Sequence, residues 1–297
     1  MYAGRTTALL ITMVIFSTPA SGDESSPGEI LKKVTTAYKS LDTYKSEGTI
    51  ISDIDSGVAK IKQETSFSIL LKKPNLYLIT WTQQGVMTQA GAVWSDGTQP
   101  YLYMSVLNAY SKMLSDEIAL GGATGISGGA AFTVPSLFLS AFKDQPSPFA
   151  RLIDPQLEQA EAINGEECYV ISGSSAASKK ETFWISKSTH LIRKYSRSLE
   201  APEGGAIMPE LTDEQLEETI KGLGQEVTEE TKKNMKQMME RASAMTKTMK
   251  LKGLSTELQK NVSSPELDVT DFEFTPPKNA TLKESLFGKD FGGSVIP

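Results

Sequence analysis

The side chains best suited to catalysis are few, because this chain of 297 residues has one histidine and one cysteine. His190 falls in a predicted hairpin turn, and Cys168 lies in an apolar run with Tyr169, Val170 and Ile171. A cysteine nucleophile needs a neighbouring base and a third group that orients the base. No such signature flanks either residue, so we predict no catalytic residue and interpret Cys168 as a small buried hydrophobe. A hydrolase would need a pocket that joins one of them to a carboxylate.

Other polar motifs also have simpler explanations than a site. Glu166 and Glu167 are adjacent, so on a strand they point to opposite faces and form a poor acid–base pair. Asp53 and Asp55 lack the remaining ligands of a calcium loop and suit a turn. The glycine-rich stretch 121–129 has no Gly-Lys-Ser/Thr ending, so it is not a phosphate loop. We therefore predict no metal site and no cofactor.

The N-terminus has the pattern of a secretory signal peptide over residues 1–22. Arg5 precedes a short apolar core, Ala8 to Phe16, and small residues follow it. That core is too short to span a bilayer, so we predict cleavage, a periplasmic location and no stable membrane anchor afterwards. An uncleaved anchor is the alternative. One cysteine allows no internal disulfide, so the exported fold must depend on its hydrophobic core.

The stretch from Phe67 to Met104 dominates the rest of the sequence and predicts three or four consecutive antiparallel strands. Apolar residues alternate with polar ones up to Ser68, and Pro74 interrupts the pattern. The strand from Asn75 to Thr82 is apolar on both faces and therefore needs cover on both sides. The formal net charge of −6 and the absence of a basic cluster argue against a nucleic-acid partner.

Helices are predicted around this sheet. Ser26 and Glu29 form a capping box that opens an amphipathic helix, which we expect to lie on a sheet face. The segment Val106 to Arg151 holds the glycine-rich stretch and a short apolar helix, and it is either a movable cover or a packed connector. Further hairpins follow, then a methionine-rich helical insertion at about 202–260 and a closing strand from Leu267 to Thr275.

Three motifs in order resemble the LolA/LolB-like periplasmic lipoprotein-carrier superfamily. They are Lys73-Pro74-Asn75-Leu76-Tyr77 followed by Ser95-Asp96-Gly97, Phe183-Trp184-Ile185-Ser186 with Leu191-Ile192-Arg193-Lys194, and Phe272-Glu273-Phe274-Thr275-Pro276-Pro277. With the opening helix they cover most of residues 28–200 and 262–283. The spacing is most similar to the superfamily's exported members of unassigned function.

The resemblance implies a single α+β domain over residues 23–297. Its curved antiparallel sheet would form an open half-barrel, with helices covering the concave face and a helical insertion before the last strand. It further implies non-catalytic binding or carriage of a lipid or lipoprotein acyl group in an apolar cavity. The alternative is a cell-envelope sensing or scaffolding module that binds a protein partner through the same fold.

Large apolar residues of the sheet and of the predicted cover are the candidate ligand-binding residues. A groove that takes a dozen methylenes would gain roughly 10 kcal/mol before ordering costs. The predicted lining is Phe67, Ile69, Leu76, Leu78, Trp81, Trp94, Tyr103 and Trp184. The predicted lid is Leu137, Phe138, Phe142, Met235, Met238, Met239 and Met245. The alternative for each of them is a place in a closed core.

Overall fold

The computed structural model describes residues 26–55, 57, 59–85, 88–200, 212–222, 226–248 and 252–286. The predicted signal peptide, residues 1–22, lies outside these ranges. The elements of the first half of the chain are α1 (Pro27–Ser40), β1 (Thr43–Asp55), β2 (Lys60–Lys72), β3 (Leu76–Gln84), β4 (Gln89–Asp96), β5 (Pro100–Met104), β6 (Ala109–Lys112), α2 (Asp116–Ile126) and α3 (Pro135–Phe138).

Two short 3-10 turns, Ser140–Phe142 and Pro148–Arg151, lead from α3 into the second half. The elements there are β7 (Ile153–Ile163), β8 (Glu166–Ser175), β9 (Ser178–Ser186), β10 (Ile192–Glu200), α4 (Asp213–Gly222), α5 (Glu229–Thr248), β11 (Lys252–Ser263), a 3-10 turn (Val269–Phe272) and β12 (Thr281–Lys283).

All the strands of the described residues form one sheet, in the order β12-β6-β5-β4-β3-β2-β1-β11-β10-β9-β8-β7. Each neighbouring pair is antiparallel except β12 with β6, which is parallel. The sheet is open and curved, with helices over its concave face, so the predicted fold class is confirmed. Strand β11 lies between β1 and β10 and thus joins the two halves of the chain.

Helix α1 begins where its sequence predicts. Ser26 Oγ accepts a hydrogen bond from the Glu29 backbone N–H, and the Glu29 carboxylate accepts one from the Ser26 N–H. Ile30, Val34 and Tyr38 are fully buried on one side of the helix. The capping box therefore fixes the start of the helix, and the apolar stripe fixes which side faces the sheet.

Two glycines allow large aromatic rings to lie flat on neighbouring strands. Gly48 pairs with Phe67 across β1 and β2, and Gly91 pairs with Trp81 across β3 and β4. A Cβ at position 48 would lie 2.2 Å from Phe67 Cζ and 2.3 Å from the Leu258 carbonyl oxygen. A Cβ at position 91 would lie 2.2 Å from Trp81 Cζ2. Both rings occupy the space that a side chain on the facing strand would fill.

The predicted closing strand, Leu267 to Thr275, is wrong. That segment forms a 3-10 turn and extended chain that contacts β3 and β4, with Phe272 fully buried. The strand before it is β11, which occupies residues predicted to be helical in the insertion at 202–260. Its buried positions are Ser255, Glu257 and Gln259, so it lacks the apolar alternation that reveals a strand.

We predict that Gly48→Ala lowers the free energy of unfolding by about 1–3 kcal/mol, because the new methyl group overlaps Phe67 and backbone atoms of β11. Urea denaturation followed by circular dichroism measures it. The matched control is Gly121→Ala inside α2, where a Cβ meets nothing within 4 Å. It should raise stability by about 0.5–1 kcal/mol, the usual gain in a helix interior. Equal midpoints for both variants would contradict the proposed contact.

Candidate functional site

The largest apolar cluster of the protein lies between the concave face of the sheet and its helices. We call α1 together with residues 116–151 the helical cover. The sheet contributes one face of every strand from β1 to β5 and of β8 to β10. The buried apolar residues that the segment 116–151 contributes are Ala119, Leu120, Ala123, Ala130, Ala131, Val134, Leu137, Phe138, Leu139, Ala141, Phe142 and Phe149.

The predicted lining residues divide between the two faces of the sheet. Phe67, Ile69 and Trp81 face the helical cover and belong to its cluster. Leu78, Trp94 and Tyr103 lie on the other face, because neighbouring positions along a strand point to opposite sides. Leu76 has the same parity as Leu78. Trp184 also lies on that outer face, in a separate cluster with Cys168 and Val170.

The outer face has its own cover over β3 to β6. Phe274, from the segment that follows β11, lies with its ring centre 4.9 Å from that of Trp94 and 5.7 Å from that of Tyr103. Trp94 also stacks on Tyr101 at 5.1 Å. The phenylalanine of the Phe-x-Phe-Thr-Pro-Pro motif thus closes an aromatic cluster rather than a strand ladder. Trp94 and Tyr103 are accordingly packed on the face opposite to the helical cover.

The predicted lid residues divide in a similar way. Leu137, Phe138 and Phe142 are buried against the concave face. Met235 is buried within the hairpin of α4 and α5, where it contacts Leu216 and Ile220 of α4. Met238 and Met239 pack against the same cluster, which is separate from the core under the sheet. The side chain of Met245 lies outside the described part of the chain.

A polar band crosses the middle of the concave face, where sequence reasoning predicted none. Its members are buried side chains of β1, β2 and β11 that share the face of Ile50 and Phe67. They are Ser46, Thr65, Ser255, Glu257 and Gln259. The sequence shows no alternation that could have revealed it, because β11 is polar at every position from Ser255 to Asn261 except Leu258.

Glu257 is the centre of the polar band and contacts the helical cover directly. Its Oε2 accepts a hydrogen bond from Thr133 Oγ1 at 2.6 Å, and its Oε1 accepts one from Gln259 Nε2 at 2.5 Å. Burial raises the pKa of Glu257 from 4.5 to about 7, although the two hydrogen bonds lower it. The carboxyl group is therefore protonated in the folded protein over a range in which it is ionised in water.

Tyrosines surround the polar band. Tyr44 OH donates to Gln259 Oε1 at 3.5 Å, and Tyr195 OH donates to Glu181 Oε2 at 2.8 Å. Burial raises the pKa of both phenols, so they stay neutral donors. Ser46 Oγ is fully buried and makes no hydrogen bond of good geometry to any residue that the structure describes. The concave face thus offers hydroxyl donors, carboxyl groups and one hydroxyl without a well-formed hydrogen bond to the described residues.

The two side chains considered first for catalysis have other contacts. Cys168 Sγ donates to the Glu166 carbonyl oxygen at 3.5 Å, and burial raises the pKa of its thiol. His190 occupies the turn between β9 and β10 with φ of 57°, and its ring lies 6.2 Å from that of Tyr169. Glu166 binds Arg193 through two hydrogen bonds. Neither arrangement has the geometry of an activated nucleophile.

We predict that folding stability falls as the pH rises between about 4.5 and 7, because the unfolded chain releases the Glu257 proton there and the folded protein keeps it. This group contributes up to about 1.4 kcal/mol per pH unit in that window. Glu257→Gln removes the contribution. Urea unfolding of both proteins at about pH 5 and about pH 8 tests it, with Glu64→Gln on the exposed face of β2 as the control. Parallel pH profiles for the wild type and Glu257→Gln would overturn the assignment.

None of the described helices is long and apolar enough to cross a membrane.

Several solved structures are similar in architecture at low sequence identity. An uncharacterized conserved protein from Thermus thermophilus is 9% identical, with 87% of this chain and 100% of that chain covered and a TM-score of 0.42. LprF from Mycobacterium bovis is 10% identical, with 86% and 97% covered and a TM-score of 0.41. The LolA superfamily protein NE2245 from Nitrosomonas europaea is 11% identical, with 84% and 98% covered and a TM-score of 0.28.

No curated protein matches the sequence. The profile of a family described as "Predicted periplasmic protein (DUF2092)" matches residues 28–219, which is more than half of the chain. The matched region runs from α1 into α4 and includes ten of the strands of the sheet. The description confirms the predicted periplasmic location. The chain therefore belongs to the DUF2092 family of predicted periplasmic proteins.

Proposed function

We propose that this protein binds a lipid or a lipoprotein acyl chain on the concave face of its sheet and carries it through the periplasm. The binding is non-catalytic. The observation that supports this function is the composition of the concave face, where strands from both halves of the sheet present apolar side chains to a cover built of short helical pieces. An acyl chain that replaced part of the cover would contact Phe67, Ile69 and Trp81.

The helical cover is suited to opening because its pieces are short. Apart from α1, it consists of α2 with 11 residues, α3 with 4, and 3-10 turns of 3 and 4 residues. Helices of this length depend on tertiary contacts for their stability. Hydrogen bonds join this part of the cover to the sheet region at separate points and not in a continuous ladder. They link Tyr77 with Asp116, Thr133 with Glu257, and Ser140 and Ala141 with Pro74 and Asn75. Segments with such contacts open at a lower free-energy cost than the sheet itself.

Ligand binding and cover closure compete for the same apolar surface. Removing one methylene from water contributes about 0.8 kcal/mol, whether it belongs to an acyl chain or to a leucine of the cover. Displacing the cover exposes apolar side chains, and the incoming chain restores the burial on the sheet side. The exchange is therefore close to balance, which is what a carrier that must also release its ligand requires.

A second candidate function is binding of an envelope protein partner. It is favoured by the filling of the concave face with the protein's own side chains, many of which are fully buried. In this alternative the apolar core is permanent, and the partner contacts the outside of the fold. Native mass spectrometry of the purified protein separates the two functions. A lipid adduct supports carriage, and a bare chain that takes up no added lipid supports the alternative.

The three tryptophans of the chain provide a positional test, because Trp81 lies under the cover whereas Trp94 and Trp184 lie on the outer face. The first variant keeps Trp81 alone and carries Trp94→Phe and Trp184→Phe. The second keeps Trp94 alone and carries Trp81→Phe and Trp184→Phe. We predict that a glycerol ester of dibromostearic acid quenches the fluorescence of the first variant and leaves the second unchanged, since bromine quenches only at contact.

The same acyl ester without bromine is the control for changes in fluorescence that do not come from contact. Circular dichroism of both variants checks that the phenylalanine substitutions preserve the fold. Equal quenching of the two variants would place the ligand elsewhere than the concave face. Quenching of neither variant at probe concentrations up to the solubility limit would contradict acyl-chain binding.

A further inference from the structure

We propose that the ligand carries a neutral, hydrogen-bonding polar group, such as an ester, amide or hydroxyl, and that the polar band of the concave face discriminates against free carboxylates and phosphates. This inference rests on the proposed function and specifies its ligand. It follows from three observations on the concave face, namely where the polar band lies, what charges surround it and which of its atoms lacks a partner.

The polar band lies between two apolar regions of the same face. On one side, Phe67, Ile69 and Trp81 belong to β2 and β3. On the other side, Phe183 and Ile185 belong to β9. Apolar arms of a ligand therefore fit on either side of the band, and the polar group that joins or ends them falls beside Glu257 and Gln259. A ligand that was apolar throughout and displaced Thr133 would not replace the hydrogen bond that Thr133 donates to Glu257, at a cost.

The charges at the polar band are unfavourable for an anion. Glu257 on β11 and Glu181 on β9 are both buried carboxyl groups. The other titratable groups that face Glu257 are the phenols of Tyr44 and Tyr195, and Arg197 is the cation that acts on it. The cover contributes Thr133, which is uncharged. Above a pH of about 7, where Glu257 is ionised, an anionic group placed beside it would meet a like charge in a region of low dielectric constant, whereas a neutral group would accept and donate hydrogen bonds.

An unpartnered hydroxyl provides independent support. Ser46 Oγ is fully buried and faces the concave side beside Ile69. It interacts with the neighbouring Tyr44 hydroxyl but makes no hydrogen bond of good geometry to a described residue. A buried hydroxyl without a partner is unfavourable, and most such groups in proteins are satisfied. A carbonyl or hydroxyl oxygen of a ligand at the polar band would supply the missing partner.

The test compares two bromine-labelled probes with the same acyl chain on the variant that keeps Trp81 alone. The neutral probe is dibromostearoyl glycerol, and the anionic probe is dibromostearate, both at about pH 8 and below their aggregation limits. We expect the neutral probe to bind at least about tenfold more tightly, because an anion needs Glu257 protonated and its pKa is about 7. Adding Glu257→Gln should reduce this ratio by about the same factor, whereas Glu64→Gln on the outer face should leave it unchanged.

A second variant keeps the test informative if Glu257→Gln fails to fold. Ser46→Ala removes a hydroxyl that has no partner, so the unliganded protein should remain as stable as the wild type or gain stability. Affinity for the neutral probe should fall by about threefold to tenfold, which is the loss of one neutral hydrogen bond. Unchanged affinity for dibromostearoyl glycerol in Ser46→Ala would contradict the contact.

The outcomes also separate this inference from the proposed function. One outcome is equal binding of the two probes, with quenching of Trp81, to the variant that keeps Trp81 alone and has Glu257 and Ser46 unchanged. That result overturns charge discrimination and leaves acyl-chain binding supported. Tighter binding of dibromostearate has the same consequence. If neither probe quenches Trp81, both proposals fail together. Selective binding of dibromostearoyl glycerol that depends on Glu257 and Ser46 supports both.

Discussion

The constraint on which this structure depends is the apolar concave face of one large curved sheet. Strands from β1 to β5 and from β8 to β10 place their apolar side chains on that side, and no second sheet covers them in the described chain. Helix α1 and the short helical pieces of residues 116–151 bury these apolar side chains instead. Because burial of this surface is the main source of stability in a protein whose single cysteine can form no internal disulfide, the cover and the sheet must be complementary.

Close cross-strand contacts bring large aromatic rings onto the backbone of the concave face. Phe67 lies over Gly48 and Trp81 lies over Gly91. Each ring therefore occupies the space that a side chain at the glycine position would fill. This arrangement brings bulky rings close to the backbone and leaves room above them for the cover. It also places Trp81 and Phe67 at the surface that an acyl chain would contact. The same packing thus serves the folding of the sheet and the proposed binding of a ligand.

The polar band lowers the stability of a core that is otherwise apolar. A carboxyl group at the middle of an apolar face lowers stability whenever it is ionised, and Glu257 avoids that cost by staying protonated up to a pH of about 7 and by bonding to Thr133 and Gln259. Together with the unpartnered hydroxyl of Ser46, these residues make the core less stable than a fully apolar one would be. Buried polar groups that the core does not need for packing are explained if a bound ligand forms hydrogen bonds with them.

Much of the fold is readable from local patterns. The capping box of Ser26 and Glu29 and the alternation in β2 both depend on near neighbours, and the structure has them where the sequence predicts them. The motifs that resemble the LolA/LolB-like superfamily led to the predicted architecture, and the signal-peptide pattern of residues 1–22 led to the predicted periplasmic location. The short apolar helix after the glycine-rich stretch was predicted and is present as α3, whereas helix α2, which includes part of that stretch, was not predicted.

The sequence by itself therefore determined two properties. It identified the strands and helices in which apolar residues recur at a regular spacing, and it identified the chain as exported. Only the tertiary structure decided the rest. It placed Trp94, Tyr103 and Trp184 on the face opposite to Trp81, paired Met235 with α4, and put β11 with Glu257 at the centre of the sheet. The physical reason is that a strand's pattern states which residues share a face but not which face meets the core. That choice depends on pairing between strands about 200 residues apart, such as Ile50 with Glu257.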